Sequence, residues 1–271
     1  MVAEVRCAVV GSPIAHSLSP AMHRAAYRLL GLDWSYGAFD VQDGELTEFV
    51  SEHREGWRGY SVTAPLKREA AALAAERDPD VEALGVANTL VAMDSGWFAG
   101  NTDVPGAMNA LREVGVSSLS SVRILGGGAT AASLALACRR LGATEVELRV
   151  RDTARAASTA RAIEKLGLHV SVVPLHLDVV GSVDLLVSTV PGETVANREH
   201  AFIGSAGAVF DVVYDPWPTT LMQSAQSEGR PLVTGLDLLA HQAVLQIGLM
   251  TGHAVEPGVL VTAALEALAS R

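Results

Sequence analysis

Val122-Arg123-Ile124-Leu125-Gly126-Gly127-Gly128-Ala129-Thr130-Ala131 decides the fold. An apolar strand enters a glycine-rich turn, and a largely apolar helix leaves it from about Ala129 to Leu141, where Gly142 stops it. In a strand-to-helix setting this turn reads as a dinucleotide fingerprint. Gly126 permits the tight bend, Gly128 lets the backbone approach a pyrophosphate, and Ala131 takes the third small position. The helix start adds unpaired N–H groups and the positive end of the peptide dipole. A glycine-rich connection that binds nothing has the same local pattern, so the reading depends on what surrounds it.

Downstream the alternation continues: strand Glu145–Val150, helix Thr153–Leu166, strand His169–Val173, strands Val183–Thr189 and Val209–Val213, helix Thr219–Ser227 and a short strand Pro231–Val233. Apolar runs separated by helices predict a parallel sheet covered on both faces, a Rossmann-like α/β domain. About 120 residues precede the turn and alternate in their own way. Strand Arg6–Val10, helix Pro20–Leu30, strand Trp34–Phe39, a helix near Glu45–His53, strand Tyr60–Thr63, a helix from about Leu66, and a hairpin of Thr89–Met93 and Trp97–Ala99 make a second α/β layer. Two apolar helices, Leu236–Met250 and Pro257–Ala269, close the chain and are expected to return to that layer. The predicted architecture is a discontinuous α/β substrate domain (1–102 plus 237–271) around a Rossmann-like domain (103–236), with the active site in the cleft between them.

Composition narrows the class. With 271 residues, 49% apolar and 18% charged, the chain can bury two cores. A net charge of −10 argues against nucleic acid or an anionic membrane surface as partner. No run reaches the roughly 18 apolar residues of a membrane span. Met1–Arg6 leads into a strand without the pattern of a signal peptide, so a cytoplasmic protein is expected, as a monomer or homodimer. Cys7 and Cys138 match no metal or redox spacing and read as buried free thiols; no metal site is expected.

Several loops carry polar groups that folding does not demand. Ser17 and Ser19 follow the first strand at its carboxyl end, where open α/β sheets place ligands. Ser19, directly before Pro20, also reads as a helix N-cap, whereas Ser17 has no such reading. Thr63 and Lys67 follow another strand. Lys67 falls near a helix start, where the dipole disfavours a cation, although a solvated surface lysine is the commoner case. Asn88-Thr89 and Asn101-Thr102-Asp103 bracket the hairpin and can serve as turn formers or caps.

Taken together these segments are recognisable. Gly11-Ser12-Pro13-Ile14, His16-Ser17, Ser19-Pro20 and His23, then Val62-Thr63, Pro65 and Lys67, then Asn88-Thr89 and Asn101-Thr102-Asp103, closely resemble the shikimate dehydrogenase family. The resemblance runs on through the glycine turn, Tyr214 in Val213-Tyr214-Asp215-Pro216, and Gly235-Leu236 with Leu238-Leu239 and Gln242-Ala243. It implies NADP(H)-dependent, reversible reduction of 3-dehydroshikimate to shikimate, in the biosynthesis of chorismate and the aromatic amino acids. It also implies Lys67 and Asp103 as the catalytic pair, Ser17, Ser19 and Tyr214 at the substrate carboxylate, and Thr63, Asn88, Asp103 and Gln242 at the ring hydroxyls. For the cofactor it implies Gly126, Gly127, Gly128, Ala129 and Thr130 at the phosphates, with Thr189, Val212, Gly235 and Leu238 completing the site.

Cofactor choice turns on Val150-Arg151-Asp152-Thr153-Ala154-Arg155. Arg151 can stack on adenine and meet a 2′-phosphate, with Arg155 adding charge; Asp152 can instead accept a ribose hydroxyl, as acidic residues do in NAD enzymes. The balance favours NADP. An NAD-dependent quinate/shikimate dehydrogenase and a non-catalytic NADP-binding regulator of the same fold are the alternatives. The chain departs from the family at Ser61 (Asn is usual), Arg24 (Asn), Val86-Ala87 (inverted), Leu238 (Met) and Ser188-Thr189-Val190-Pro191, all around the proposed catalytic pair rather than in it.

Overall fold

The computed structural model describes residues 5–271. The expectation that the chain enters its first strand without a leader rests partly on Met1–Glu4, which lie outside them. Two compact units make up the chain: one runs through Thr102 and resumes at Leu239–Arg271, the other is Asp103–Leu238.

The first unit contains β1 (Val5–Gly11), α1 (Ser19–Leu29), β2 (Trp34–Asp40), α2 (Leu46–Glu52), β3 (Trp57–Val62), α3 (Lys67–Leu73), β4 (Glu76–Arg77), α4 (Pro79–Leu84), β5 (Thr89–Met93) and β6 (Gly96–Gly100). Its sheet order is β2-β1-β3-β5-β6-β4. β1 runs parallel to β2 and β3, which explains its unbroken buried run Cys7–Gly11, whereas β3-β5 and β5-β6 are antiparallel. The expected hairpin forms, with Met93 paired to Gly96 around Asp94-Ser95. α4 was not anticipated, although Asp78 before Pro79 is its signal: the Asp78 carboxylate accepts the Val81 N–H, and proline fits the first helical turn.

The second unit contains α5 (Asp103–Glu113), β7 (Ser121–Leu125), α6 (Ala129–Arg140), β8 (Glu145–Val150), α7 (Thr153–Lys165), β9 (His169–Pro174), β10 (Val183–Ser188), α8 (Glu199–Gly204), β11 (Ala206–Asp211), α9 (Thr220–Ser227) and β12 (Leu232–Thr234). α10 (Gly235–Thr251) begins in this unit and ends in the first, to which α11 (Pro257–Ala269) belongs, packed on α1. The sheet order β12-β11-β10-β7-β8-β9 is wholly parallel and reverses direction at β7, the switch point where doubly wound sheets bind dinucleotides. The α/β class and the Rossmann-like sheet are as expected. β11 ends at Asp211 rather than continuing to Val213, because the Val213 N–H turns onto the Asp211 carboxylate at 3.3 Å. α5 escaped sequence reading because Pro105-Gly106 lowers its helix propensity, yet proline is tolerated in a first turn.

No helix covers the connection from β9 to β10. Arginines on the sheet hold it instead. Arg123 on β7 and Glu147 on β8 are direct cross-strand partners, and Arg149 lies two residues further on the same face. Both guanidiniums bond the Glu147 carboxylate. Arg123 also donates to Val180 O at 2.9 Å, and Arg149 to Leu177 O at 2.7 Å and Asp178 O at 2.9 Å. Burial raises the Glu147 pKa, but the two arginines outweigh it and hold the carboxyl below its ordinary range. A cavity of about 500 Å3 opens beside this cluster, lined by Ser121, Glu145, Glu147, His169 and Ser182. It sits at the amino ends of the strands, the wrong end of an open α/β sheet for the dinucleotide.

In the first unit His23 is fully buried and stacks on Tyr36, ring centroids 4.1 Å apart. Among the described residues neither of its ring nitrogens has a hydrogen-bond partner. Burial pushes the imidazole down to about 3, weakly opposed by the nearby Gln246 amide. Unfolded, the same ring protonates near 6.5. The unfolded chain therefore binds the proton first, and stability falls as pH drops below about 6.5, by up to ~1.4 kcal/mol per pH unit. Buried Asp211, pushed up to about 6, has the opposite sign: its contribution is lost as pH rises through 6. Comparing a variant with its parent isolates the histidine. The thermal midpoint of His23→Phe, measured against wild type, is expected to rise steadily from pH 7 to pH 5; a pH-independent difference would mean His23 does not titrate on unfolding.

Candidate active site

Chain geometry collects the polar loops of the first unit at the carboxyl ends of β1 and β3. The Ser12 N–H bonds Ala64 O at 2.9 Å and the Thr63 N–H bonds Val10 O at 2.9 Å, which sets the serine loop beside the threonine loop. The Val62 N–H bonds Asn88 O at 2.7 Å and the Ala87 N–H bonds Lys67 O at 2.9 Å, bringing Asn88 to the start of α3. Gln242 arrives from α10: its Oε1 accepts from Asn88 Nδ2 at 3.2 Å and from the Thr102 hydroxyl at 3.4 Å. Thr102 is clamped by Asn88, whose Oδ1 accepts the Thr102 N–H at 2.8 Å, and the next residue in the chain is Asp103.

Serine roles differ from expectation. Ser19 is the first residue of α1, preceded by Leu18 at the cap with no side-chain capping bond, so it is not the N-cap. Ser17 takes that work, its hydroxyl accepting the Ser19 N–H at 3.3 Å. Pro20 stands at the second helical position, inside the first turn, where its missing N–H has no helical acceptor to lose. Ser19 is buried and Ser17 half-buried. Lys67 is not the solvated surface lysine that the simplest reading allowed: it opens α3 and is only 8% exposed. Asn88, Asp103 and Gln242 are buried too. Putting a cation, a carboxylate and two amides out of water carries a desolvation cost that their hydrogen-bond and charge partners must offset.

The second unit holds the dinucleotide candidates. Gly126 has φ +116°, a conformation closed to most side chains, and a Cβ there would fall 2.2 Å from the Thr189 hydroxyl oxygen. Thr189 in turn donates to Leu125 O at 2.9 Å, so it is seated directly against the turn. A Cβ on Gly128 would meet nothing within 4 Å, leaving the open approach that a pyrophosphate needs. The Ala132 N–H bonds Gly128 O at 3.2 Å, so Gly128 caps α6 and the helix opens directly from the glycine turn, with its N-terminal end toward the side where a phosphate would approach. Val212 and Gly235 meet closely, a Cβ on Gly235 falling 2.3 Å from Val212 O. Leu238 is buried in the first turn of α10, whose entry is fixed by the Thr234–Asp237 pair. These residues fit a dinucleotide phosphate at the turn.

At the tip of β8, Arg151 and Arg155 are exposed. Asp152 is the N-cap of α7, its Oδ1 accepting the N–H groups of Ala154 at 2.9 Å and Arg155 at 3.1 Å. Tyr214 lies in this unit, half-buried on the segment after β11. Ser61, Gln246 and Tyr36, which sequence reading did not put in the site, are bonded into the Asn88 network. Gln246 had one signal, a second glutamine one turn after Gln242 on an otherwise apolar helix face. Among the described residues no cluster of three or more His, Cys, Asp or Glu is placed to hold a metal ion, and no helix is long and apolar enough to cross a membrane. Cys7 and Cys138 are buried free thiols, pushed up by burial to about 11 and about 12.

A glycine turn at the switch point of a parallel sheet, together with hydroxyls, amides and one buried ammonium converging on a second sheet, defines a two-domain nicotinamide-dependent dehydrogenase. Residues 9–90 match the family model described as the shikimate dehydrogenase substrate binding domain. The chain is 35% identical over 274 residues to a shikimate dehydrogenase (NADP(+)) of Thermus thermophilus, covering 97% of this chain and 99% of that protein. Among solved structures, the shikimate dehydrogenase of Mycobacterium tuberculosis superposes with TM-score 0.84 at 33% identity, over 97% of this chain and 99% of that one. A Thermus thermophilus shikimate 5-dehydrogenase, solved in complex with NADP(H) and shikimate, gives 0.82 at 34%, over 97% and 100%. The chain belongs to the shikimate dehydrogenase family.

Proposed function

We infer that this chain is an NADP-dependent oxidoreductase that interconverts 3-dehydroshikimate and shikimate. Its near full-length kinship with NADP(+)-dependent shikimate dehydrogenases supports the reading. The structural observation that carries it is the burial of a cation, a carboxylate and two amides, Lys67, Asp103, Asn88 and Gln242.

NADPH, held at the glycine turn and Arg151, supplies the hydride. Reduction of a ketone builds negative charge on its oxygen, and an ammonium beside it both stabilises that charge and provides the proton. We assign this to Lys67, with Asp103 orienting it and bonding the substrate. Ser17, Ser19 and Tyr214 donate hydroxyl hydrogens to the substrate carboxylate. Thr63, Asn88 and Gln242 read the ring hydroxyls. Leu238 packs at the nicotinamide while Thr189, Val212 and Gly235 shape its pocket. Asp152, already accepting two helix amides, leaves Arg151 as the residue that meets the 2′-phosphate, with Arg155 beside it. With a net charge of −10, no nucleic-acid or membrane partner is proposed, and the enzyme is placed in the cytoplasm as a monomer or homodimer.

The test uses NADPH carrying deuterium at the transferable position with 3-dehydroshikimate. The label is expected on the carbinol carbon of product shikimate. Shikimate formed without label, or no shikimate at all, would overturn the reading.

A further inference from the structure

One hydrogen-bond chain runs through the first unit, and backbone groups fix its direction. Gln246, on α10, approaches Asn88 O at 2.9 Å and the Thr89 hydroxyl at 3.0 Å through one end of its amide. A carbonyl oxygen can only accept, so that end is Nε2 and Oε1 faces the other way. Oε1 therefore accepts from the Ser61 hydroxyl, 2.7 Å away. That bond uses Ser61's one hydrogen, so the Tyr36 hydroxyl, 2.6 Å from Ser61, must donate to it. Having accepted from Gln246, Thr89 gives its own hydrogen to Asn88 Oδ1 at 2.8 Å. The Thr102 N–H lands on the same oxygen. Asn88 Nδ2 is thereby turned toward Gln242 Oε1 at 3.2 Å. Gln242 Nε2 spends one hydrogen on Leu239 O at 2.8 Å and retains its second. Donation thus passes from Tyr36 through Ser61, Gln246, Thr89 and Asn88 to Gln242, and every amide in it has one permitted orientation.

We propose that Gln246 is a positioning residue for substrate recognition, setting Thr89 and Asn88 so that Asn88 Nδ2 spends its two hydrogens on the Thr102 hydroxyl at 2.9 Å and Gln242 Oε1 at 3.2 Å, and the Gln242 amide is held with its second Nε2 hydrogen presented as a donor. This inference rests on the shikimate reading above. Gln246 is 1% exposed and acts through its neighbours. Its carboxamide joins the ends of β3 and β5 to α10, and its loss would free the Thr89 hydroxyl to rotate and slacken the Asn88–Gln242 pair. Cofactor affinity does not depend on that pair, so the effect should be confined to the ring-bearing substrate.

The test is steady-state kinetics of Gln246→Leu, Ser61→Ala and Tyr36→Phe, with shikimate and NADP varied in turn. Gln246→Leu is expected to raise KM for shikimate about tenfold, with kcat within about threefold and KM for NADP unchanged, the loss of one well-placed hydrogen-bonding group. Ser61→Ala should raise the shikimate KM by a smaller factor, because Gln246 keeps its bonds to Asn88 and Thr89. Tyr36→Phe should stay near wild type, since Ser61 still donates to Gln246. An unchanged shikimate KM in folded Gln246→Leu, or equal rises for shikimate and NADP, would overturn the proposal. If Gln246→Leu does not fold, Ser61→Ala decides: an unchanged shikimate KM there counts against it. Wild type inactive on shikimate would instead defeat the underlying functional reading.

Discussion

Lys67→Ala is expected to lose about 10³-fold in kcat while KM for shikimate changes only a few-fold. The side chain is buried at the first residue of α3, where the helix dipole repels a cation, so neither solvation nor helix stability accounts for its presence. Its value lies in the transition state. As hydride reaches the carbonyl carbon, charge builds on an oxygen that the ground state leaves nearly neutral, and an ammonium there acts far more strongly on the transition state than on bound substrate. Proton donation by the same group adds a further general-acid contribution. A loss confined to kcat is the signature of such an interaction. Asp103→Asn should show a smaller loss of the same kind. Steady-state rates at saturating substrate, with circular dichroism to confirm folding, check both. Near-normal kcat in Lys67→Ala would remove Lys67 from the chemistry.

Arg151→Ala is expected to raise KM for NADP by about 10- to 100-fold and leave KM for NAD within about threefold. Bonds between a guanidinium and a phosphate are worth roughly 1.5–3 kcal/mol each, and NAD lacks the 2′-phosphate that would receive them. Arg151 is exposed just beyond β8, and the Asp152 carboxylate that could have favoured a ribose diol instead caps α7. Substituting Asp152 should therefore cost helix stability before it changes cofactor choice, by about 1 kcal/mol. Equal rises for NADP and NAD in Arg151→Ala would assign the arginine to adenine stacking alone.

Much of this was legible in the sequence because periodicity and punctuation reported it directly. The glycine turn between β7 and α6, the unbroken apolar strands of the parallel sheet and the hairpin of β5 and β6 all follow from residues within a few positions of one another. What sequence missed was set at long range. The glutamate between Arg123 and Arg149 looks like an ordinary surface charge until β7 and β8 pair and bring Arg123 opposite Glu147. Gln246 lies 158 residues from the Asn88 carbonyl it holds, so no local pattern announces the bond. Ser19 misled for a different reason. A serine before proline suits both a cap and a first helical residue, and only the backbone angles at Leu18 separate the two.

The most direct test of the central claim is nicotinamide absorbance with purified protein, crossing shikimate or quinate with NADP or NAD. Rapid reduction with shikimate and NADP, and little in the other three combinations, is the predicted result. Faster turnover of quinate, or a preference for NAD, would contradict it.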